Sequence, residues 1–243
     1  MIFLPEVNST NIYAMKRISD GMSVHGEVIW THHQTGGKGQ RDKEWMDEKG
    51  KSVLMSVILM EKLQDLTLFQ LNVMISYAVL ESLNSLFSEW DLKIKWPNDI
   101  YIGDKKACGI LIENGFRGNH WHHSVVGIGI NVLQDQFSRD LPAATSLFLE
   151  SGIIFDLEEI AAMVSGCILD ALEKQEPFGV LLQKYNRSLY KNGELVHLQM
   201  LKTGAQISGK VLGVNEEGEL IVLARDGVKA LAFGSVSWQI PVH

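Results

Sequence analysis

Lys95-Trp-Pro-Asn-Asp-Ile-Tyr-Ile-Gly-Asp-Lys-Lys-Ala-Cys-Gly-Ile-Leu-Ile-Glu113 alternates short apolar runs with turn residues. The runs Leu92–Trp96, Ile100–Ile102 and Cys108–Glu113 are too short for helices, and Pro97 and Gly103 stand where the chain must turn. Strands joined so tightly are antiparallel neighbours in one sheet. Pro97 has no N–H for a ladder, so Asn98 and Asp99 are expected at a strand end with their polar atoms free. A carboxylate there suits a magnesium ion bridging phosphates, and Lys106 would set an ammonium point charge beside it. Taken alone, the segment reads also as a turn with exposed polar residues.

Downstream, a turn-rich break at Asn114–Asn119 is followed by a further strand, Ser124–Val132. Within it, Val126-Gly-Ile-Gly-Ile-Asn-Val132 puts Gly127 and Gly129 on one face, because strand side chains alternate. The two bare positions clear a trench that suits either a flat or long ligand or a helix crossing close to the sheet. Upstream, Val24–Gln34 and Ser52–Met60 read as strands on either side of a polar loop, Gln34-Thr-Gly-Gly-Lys-Gly-Gln-Arg-Asp-Lys43. Its glycines let backbone approach a ligand while Lys38, Arg41 and Lys43 gather positive charge, so an anion is the natural occupant. The spacing is not that of a P-loop, and a solvated surface turn is the plainer reading of the loop by itself.

The helices follow from 3.6-residue periodicity. Ser9–Ser19 carries Ile12, Met15 and Ile18 behind a Ser-Thr-Asn opening, and Leu66–Trp90 repeats apolar residues every three or four positions, with Met74 and Phe87 as core. Asp156 with Glu159 forms a capping box, and Phe155 with Ile160 a hydrophobic staple, opening a helix towards Gln175; another runs Phe178–Tyr190. After Asn192-Gly193 the pattern changes to five short β runs, Leu195–Leu201, Gln206–Val214, Glu219–Ala224, Val228–Phe233 and Val236–Ile240, barrel-like in their turn spacing. Two domains are expected, 1–191 and 192–243.

Composition narrows the function. At 243 residues the chain can bury one full core and carry a small appended module. Net charge is −7 with no block of Lys and Arg, which argues against a broad nucleic-acid-binding face. No segment is long and apolar enough to span a bilayer, and MIFLPEVNSTN lacks the features of an export signal, so a cytoplasmic protein is expected. The only cysteines, Cys108 and Cys167, read as buried thiols. His120-Trp-His122-His123 reads as a histidine-rich surface hairpin rather than a metal cluster, because no further ligand is spaced to complete it. His32 and His33 could touch a ligand or merely cap a strand.

Together these segments, in this order, resemble biotin-protein ligases of the bacterial type, and the resemblance spans nearly the whole chain. It rests on Ser9-Thr10-Asn11, the Gln34–Lys43 loop ending near Trp45, Lys95-Trp-Pro-Asn-Asp99, Gly109-Ile-Leu-Ile-Glu113, Gly127-Ile-Gly-Ile-Asn131, Ala144-Thr-Ser-Leu147 and the small β module. The fold it implies is α+β, a mixed or antiparallel sheet with flanking helices like that of class II aminoacyl-tRNA synthetases, plus a small C-terminal SH3-like β barrel. It implies that Ser9, Thr10, Asn11 and Gln34 hold the biotin ring while Gly109, Leu111, Gly127 and Gly129 line its slot. Gly37, Lys38, Gly39, Gln40 and Arg41 would close over the intermediate. Lys106 would touch the biotin carboxylate and the α-phosphate, with Asp99, holding magnesium, and Lys38 also catalytic. Lys38, Arg41, Lys43, Trp45, Asn98 and Asn131 would contact the nucleotide. The loop departs from the family pattern Gly-Arg-Gly-Arg-x-Gly-Arg: Lys38 and Lys43 stand for arginines, Gln40 for another, and Asp42 for a glycine. Neither Lys nor Gln offers the guanidinium fork, so phosphate contacts are weakened there.

The implied activity is activation of biotin with ATP and Mg2+ to biotinyl-5'-AMP, then transfer to a lysine of a biotin carboxyl carrier protein. A carboxylate needs such activation before an amine can attack, and no enzyme nucleophile is required. Two rivals stand beside it, a lipoate- or octanoate-protein ligase and a non-catalytic biotin-binding protein. A DNA-binding regulator would need a helix-turn-helix ahead of Ser9, where only eight residues stand. An exposed sheet edge could pair with a second copy as a homodimer or with the acceptor.

Overall fold

The computed structural model describes residues 1–40, 44–138, 141 and 143–239. Seven strands form one sheet: β1 (Ile2–Leu4), β2 (Val28–Thr31), β3 (Ser52–Leu59), β4 (Leu92–Lys95), β5 (Asp99–Ile102), β6 (Lys105–Arg117) and β7 (His120–Asn131). Their order is β1-β2-β3-β7-β6-β5-β4, and every neighbouring pair is antiparallel except β1 with β2, so the sheet is mixed. The helices are α1 (Thr10–Ser19), α2 (Leu68–Asn84), α3 (Leu147–Ser151), α4 (Leu157–Lys174) and α5 (Phe178–Arg187). None of them is long and apolar enough to cross a membrane.

Two-sided burial of β3 shows how the sheet is used. All eight of its residues are buried. Val53, Met55, Val57 and Leu59 enter the main core with residues of α2 and α4, whereas Ile58 packs on the opposite face with Ala14 and Ile18 of α1 and with Val125. The N-terminus of α1 comes down over Ser56 of β3 and Gly127 of β7. The candidate site is built on that second face.

Several boundaries differ from the periodicity reading, each for a local reason. β2 begins only at Val28, because Gly26 adopts φ +76 and breaks the extended run. β6 continues to Arg117 and β7 starts at His120, so the polar stretch 114–119 is mostly strand, and the turn is confined to Gly118-Asn119. α2 starts at Leu68 rather than Leu66, fixed by a capping box of Thr67 and Gln70, and ends at Asn84. At α4 the Asp156 carboxylate accepts from the Glu159 N–H as expected. Ser9 is the N-cap residue of α1, but its side chain makes no capping hydrogen bond. α5 stops at Arg187, and the following residues cover the sheet edge at β4 through Ile94 N–H to Ser188 O and Tyr190 N–H to Ile94 O.

The C-terminal strands β8 (Leu195–Met200), β9 (Gln206–Val214), β10 (Leu220–Ala224), β11 (Gly227–Leu231) and β12 (Val236–Trp238) lie in order β11-β10-β9-β8-β12. Among the described residues the ladder does not close, and β11 and β12 are its edges. This sheet shares a continuous core with the first, through Val196, Leu198, Val211 and Leu220 among others. One tie is Gly218, whose carbonyl accepts from the Trp96 indole N–H at 3.1 Å and whose φ is +86. A Cβ there would lie 2.8 Å from Cδ2 of Phe69.

Gly218→Ala is therefore expected to destabilise the fold by about 1–3 kcal/mol in urea unfolding, through both left-handed strain and the collision with Phe69. Gly204, also at positive φ but with nothing near its missing Cβ, supplies the control. Gly204→Ala should cost measurably less, and equal losses would show that the Phe69 contact contributes nothing.

Candidate active site

The β6–β7 register places Gly109 directly opposite Gly129, and Leu111 opposite Gly127. Three of these four positions lack a side chain on the face that α1 covers only in part, so a bare patch of backbone results. Of the two readings of the glycine pair, a close helix is observed at Gly127 alone. At Gly127 a helix does approach closely, since a Cβ would collide with the Asn11 side chain of α1. At Gly129 and Gly109 the neighbour is instead the Trp45 indole, which a Cβ would meet at 2.5 Å and 2.8 Å respectively.

One end of this slot is a hydrogen-bonded polar cluster. Thr10 donates its N–H to Gln34 Oε1 at 2.7 Å, and its hydroxyl lies 3.2 Å from the same oxygen. Ser56 Oγ lies 2.7 Å from Thr10 Oγ1 and 2.6 Å from Asn11 Oδ1. Asn11 Nδ2 donates to Glu113 Oε2 at 2.7 Å. Ser9, Thr10, Asn11 and Ser56 are buried. Ser56 and Glu113 were not among the residues anticipated for the site. The sequence offered for Ser56 only a hydroxyl among the apolar residues of Val53–Leu59; its register with Gly127 is set by the sheet.

The other end is cationic. Lys106 Nζ pairs with Asp99 Oδ1 at 2.7 Å, and the same ammonium lies 5.5 Å from the centre of the Trp45 ring. A Cβ at Gly109 would come within 3.0 Å of Lys106 Nζ. The lysine is held from behind by Ala143 and Thr145, whose backbone brackets it through Lys106 N–H to Ala143 O and Thr145 N–H to Lys106 O. Asn131 Nδ2 in turn donates to Thr145 O at 3.0 Å. The expectation that Asn98 stands with its polar atoms free needs correction. Asn98 is buried and its Nδ2 donates to Ile110 O at 2.7 Å, so its amide ties the strand ends together.

The glycine loop is stitched at its base. Gly36 N–H donates to Asn8 O and Trp45 N–H to Gly37 O, while Lys38 bridges Glu44. A Cβ on Gly37 would lie 2.8 Å from Trp45 O, so that close approach requires glycine. His33 Nδ1 lies 3.3 Å from Asp47 Oδ2, and burial pushes the Asp47 carboxyl up despite that partner. His32 instead packs edge-on against Phe3 and Trp30. Gly39 and Gln40 are half-buried, and Lys38 is exposed. Arg41 and Lys43 lie outside the described residues. The structure thus gathers Lys106, Asp99, Trp45, Gly109 and Gly129 at one end and Thr10, Asn11, Gln34 and Gly127 at the other.

The remaining candidates are apart from this slot. His122 and His123 touch each other through their Nδ1 atoms at 2.9 Å, with His123 over Gly115 on the β6–β7 hairpin. Among the described residues no group of three or more His, Cys, Asp or Glu is placed to share an ion. Both cysteines are free thiols.

Residues 3–131 match the model of the biotin/lipoate A/B protein ligase family. The chain belongs to that family. It is 28% identical to the bifunctional ligase/repressor BirA of Escherichia coli, over 93% of this chain and 69% of that protein. It is 26% identical to the biotin--[acetyl-CoA-carboxylase] ligase of Paracoccus denitrificans, over 96% of this chain and 98% of that one. The structure of the biotin protein ligase from Aquifex aeolicus in complex with biotin and ATP superposes with a TM-score of 0.82, at 28% identity, covering 99% of this chain and 98% of that one.

Burial pushes the Cys108 thiol well above its ordinary range. Iodoacetamide at neutral pH should therefore leave Cys108 unmodified in the native protein and alkylate it in urea, as read by mass spectrometry. Rapid native labelling would show that the strand is open to solvent.

Proposed function

We propose that this chain activates biotin with ATP to biotinyl-5'-AMP and transfers the biotinyl group to a lysine of a biotin carrier protein of the acetyl-CoA carboxylase type. The observation that carries the reading is the polarity of the slot. A hydrogen-bonding cluster stands over Gly127, a side-chain-free floor follows, and the Lys106–Asp99 pair closes the far end. Biotin has the same order of parts: a ureido ring with donors and an acceptor, an apolar thioether ring and chain, and a carboxylate. Lipoate has no ureido group, so Gln34 and the buried Thr10, Asn11 and Ser56 would gain no hydrogen-bonding ligand partner from it. That favours biotin over lipoate or octanoate within a family that handles both.

In the first step a biotin carboxylate oxygen attacks the α-phosphorus of ATP. The bond to the bridging oxygen breaks and pyrophosphate leaves, giving a mixed anhydride. Lys106 stabilises the charge on carboxylate and phosphoryl oxygens, and Asp99 holds that ammonium in place. Trp45, whose buried Nε1 has no hydrogen-bond partner among the described residues, walls the slot beside them. In the second step the acceptor amine attacks the acyl carbon. The amide C–N bond forms, the C–O bond to AMP breaks, and the protons on nitrogen pass to water. A magnesium ion travelling with the nucleotide would be held by Asp99 and would neutralise phosphate charge. A single carboxylate, with no triad of protein ligands among the described residues, fits an ion bound chiefly through its substrate's phosphates.

The slot and glycine loop form the proposed catalytic unit, residues 1–191. The C-terminal sheet, residues 192–243, is read as an SH3-like module, its strand order and shared core supporting that reading. The acidic net charge gives no support to DNA binding, and a cytoplasmic location agrees with the reduced thiols and the reaction's substrates.

Pyrophosphate release on adding ATP with either biotin or lipoate tests the reading: release with biotin alone is expected, and release with lipoate alone would overturn it. Lys106→Ala should lower biotin-dependent release by roughly 100-fold or more while biotin binding remains measurable by calorimetry, because its charge acts mainly on the phosphoryl transfer. Full activity in that variant would remove Lys106 from the mechanism. Gln40→Arg, which adds a guanidinium fork to the loop, should slow escape of biotinyl-5'-AMP in a rapid-filtration assay.

A further inference from the structure

Past Gly109 the outer edge of β6 has no strand beside it, because β5 pairs with β6 only from Asp99↔Gly109 to Ile102↔Lys105. The space left is a cleft of about 640 Å³ between the two sheets. Leu111 of the slot lies in it, Phe69 and Phe233 wall it, and its lining includes Gln40 of the glycine loop and Asn98 next to Asp99. The cleft therefore adjoins the slot at Leu111 and lies next to Asp99 through Asn98.

Among the described residues its charge is one-sided. Glu217 and Glu219 belong to the lining, which among the described residues holds no Lys, Arg or His. Glu217 is exposed at the tip of the β9–β10 turn. The turn itself is rigid: Glu219 N–H donates to Asn215 Oδ1 at 2.7 Å, Gly218 N–H to Asn215 O at 3.1 Å, and Gly218 O receives the Trp96 indole. A depression of similar size on the C-terminal sheet, about 690 Å³, shares no lining residue with the slot and sets Arg225 and Lys229 beside Asp226. It has neither the position nor the charge of the cleft.

A second substrate has to reach the acyl carbon while biotinyl-adenylate fills the slot. A lysine side chain is an aliphatic stem with a cationic head. A cleft walled by two phenylalanines, with carboxylates at its rim, matches both parts. We infer that the acceptor lysine enters through this cleft, and that Glu217 and Glu219 of the β9–β10 turn are the docking element that draws its ammonium in. This rests on the ligase reading above, and the occupant is a lysine-bearing segment of an acceptor protein. The rim favours the ammonium and the apolar walls disfavour it, so the amine sheds its proton to water as it advances towards the anhydride.

The test compares Glu217→Lys with the wild-type chain in three reactions: pyrophosphate release with biotin and ATP, capture of the adenylate by hydroxylamine, and biotinylation of the isolated biotin carrier domain of acetyl-CoA carboxylase. The expected result is a rise of roughly tenfold in KM for the carrier, with the other two reactions unchanged, since hydroxylamine needs no docking. Added salt should raise the wild-type KM and leave that of the variant nearly flat. Glu217→Gln should shift KM in the same direction by less. An unchanged carrier KM overturns the proposal, and so does a parallel loss in all three reactions, which would mark a general disturbance of the turn. Absence of pyrophosphate release from the wild-type chain would instead remove the ligase reading itself, and the docking proposal with it.

Discussion

The bare backbone where Gly109 faces Gly129 is the constraint on which the rest of the site depends. Side chains at these positions would occupy the space now taken by the Trp45 ring and the Lys106 ammonium. Because the two glycines sit in adjacent strands at the same register, the floor they form is rigid, and whatever lies on it is positioned by the sheet rather than by loops. The polar cluster and the cation are then set at opposite ends of that floor by elements with other structural duties. α1 delivers Thr10 and Asn11 while its apolar side packs on Ile29, Ile58 and Val125. The strand end at Asp99 delivers the partner of Lys106 while its neighbour Asn98 ties the backbone of β6.

Charge is arranged with the same economy. Lys106 is the cation that the described slot presents, and it stands beside Asp99 and the face of Trp45. An ammonium held between a carboxylate and an aromatic face is kept in one orientation before any anion arrives, which is the preorganisation that electrostatic catalysis needs. The C-terminal sheet adds charge of the opposite sign at the rim of the adjoining cleft. Positive charge near the phosphates and negative charge at the entrance would serve two substrates of opposite sign.

What the amino-acid order determined by itself is local. Short apolar runs separated by Pro97 and Gly103 required antiparallel strands, and Gly127 and Gly129 required a clear face, because side-chain direction follows from strand geometry alone. The resemblance carried by Lys95–Asp99 and Gly127–Asn131 marked the family, since those motifs are contiguous. Element ends were less legible where opposing preferences met. The polar stretch 114–117 became strand because pairing with β7 outweighed turn propensity, and β1 was invisible in three residues until it found β2.

Tertiary structure decided everything that depends on residues distant in the chain. Ser56 and Glu113 joined the site because the register with Gly127 and the approach of Asn11 brought them there, and no spacing along the chain encodes that. It likewise turned Asn98 from a presumed free ligand into a buried tie, and left Lys38 exposed at a bridge with Glu44. The cleft at Glu217 exists because the β5–β6 pairing ends at Asp99↔Gly109 and because Gly218 seats the β9–β10 turn against Trp96 and Phe69. The ties at Gly218 are packing between segments more than a hundred residues apart, where the energy lies in shape and burial rather than in local preference.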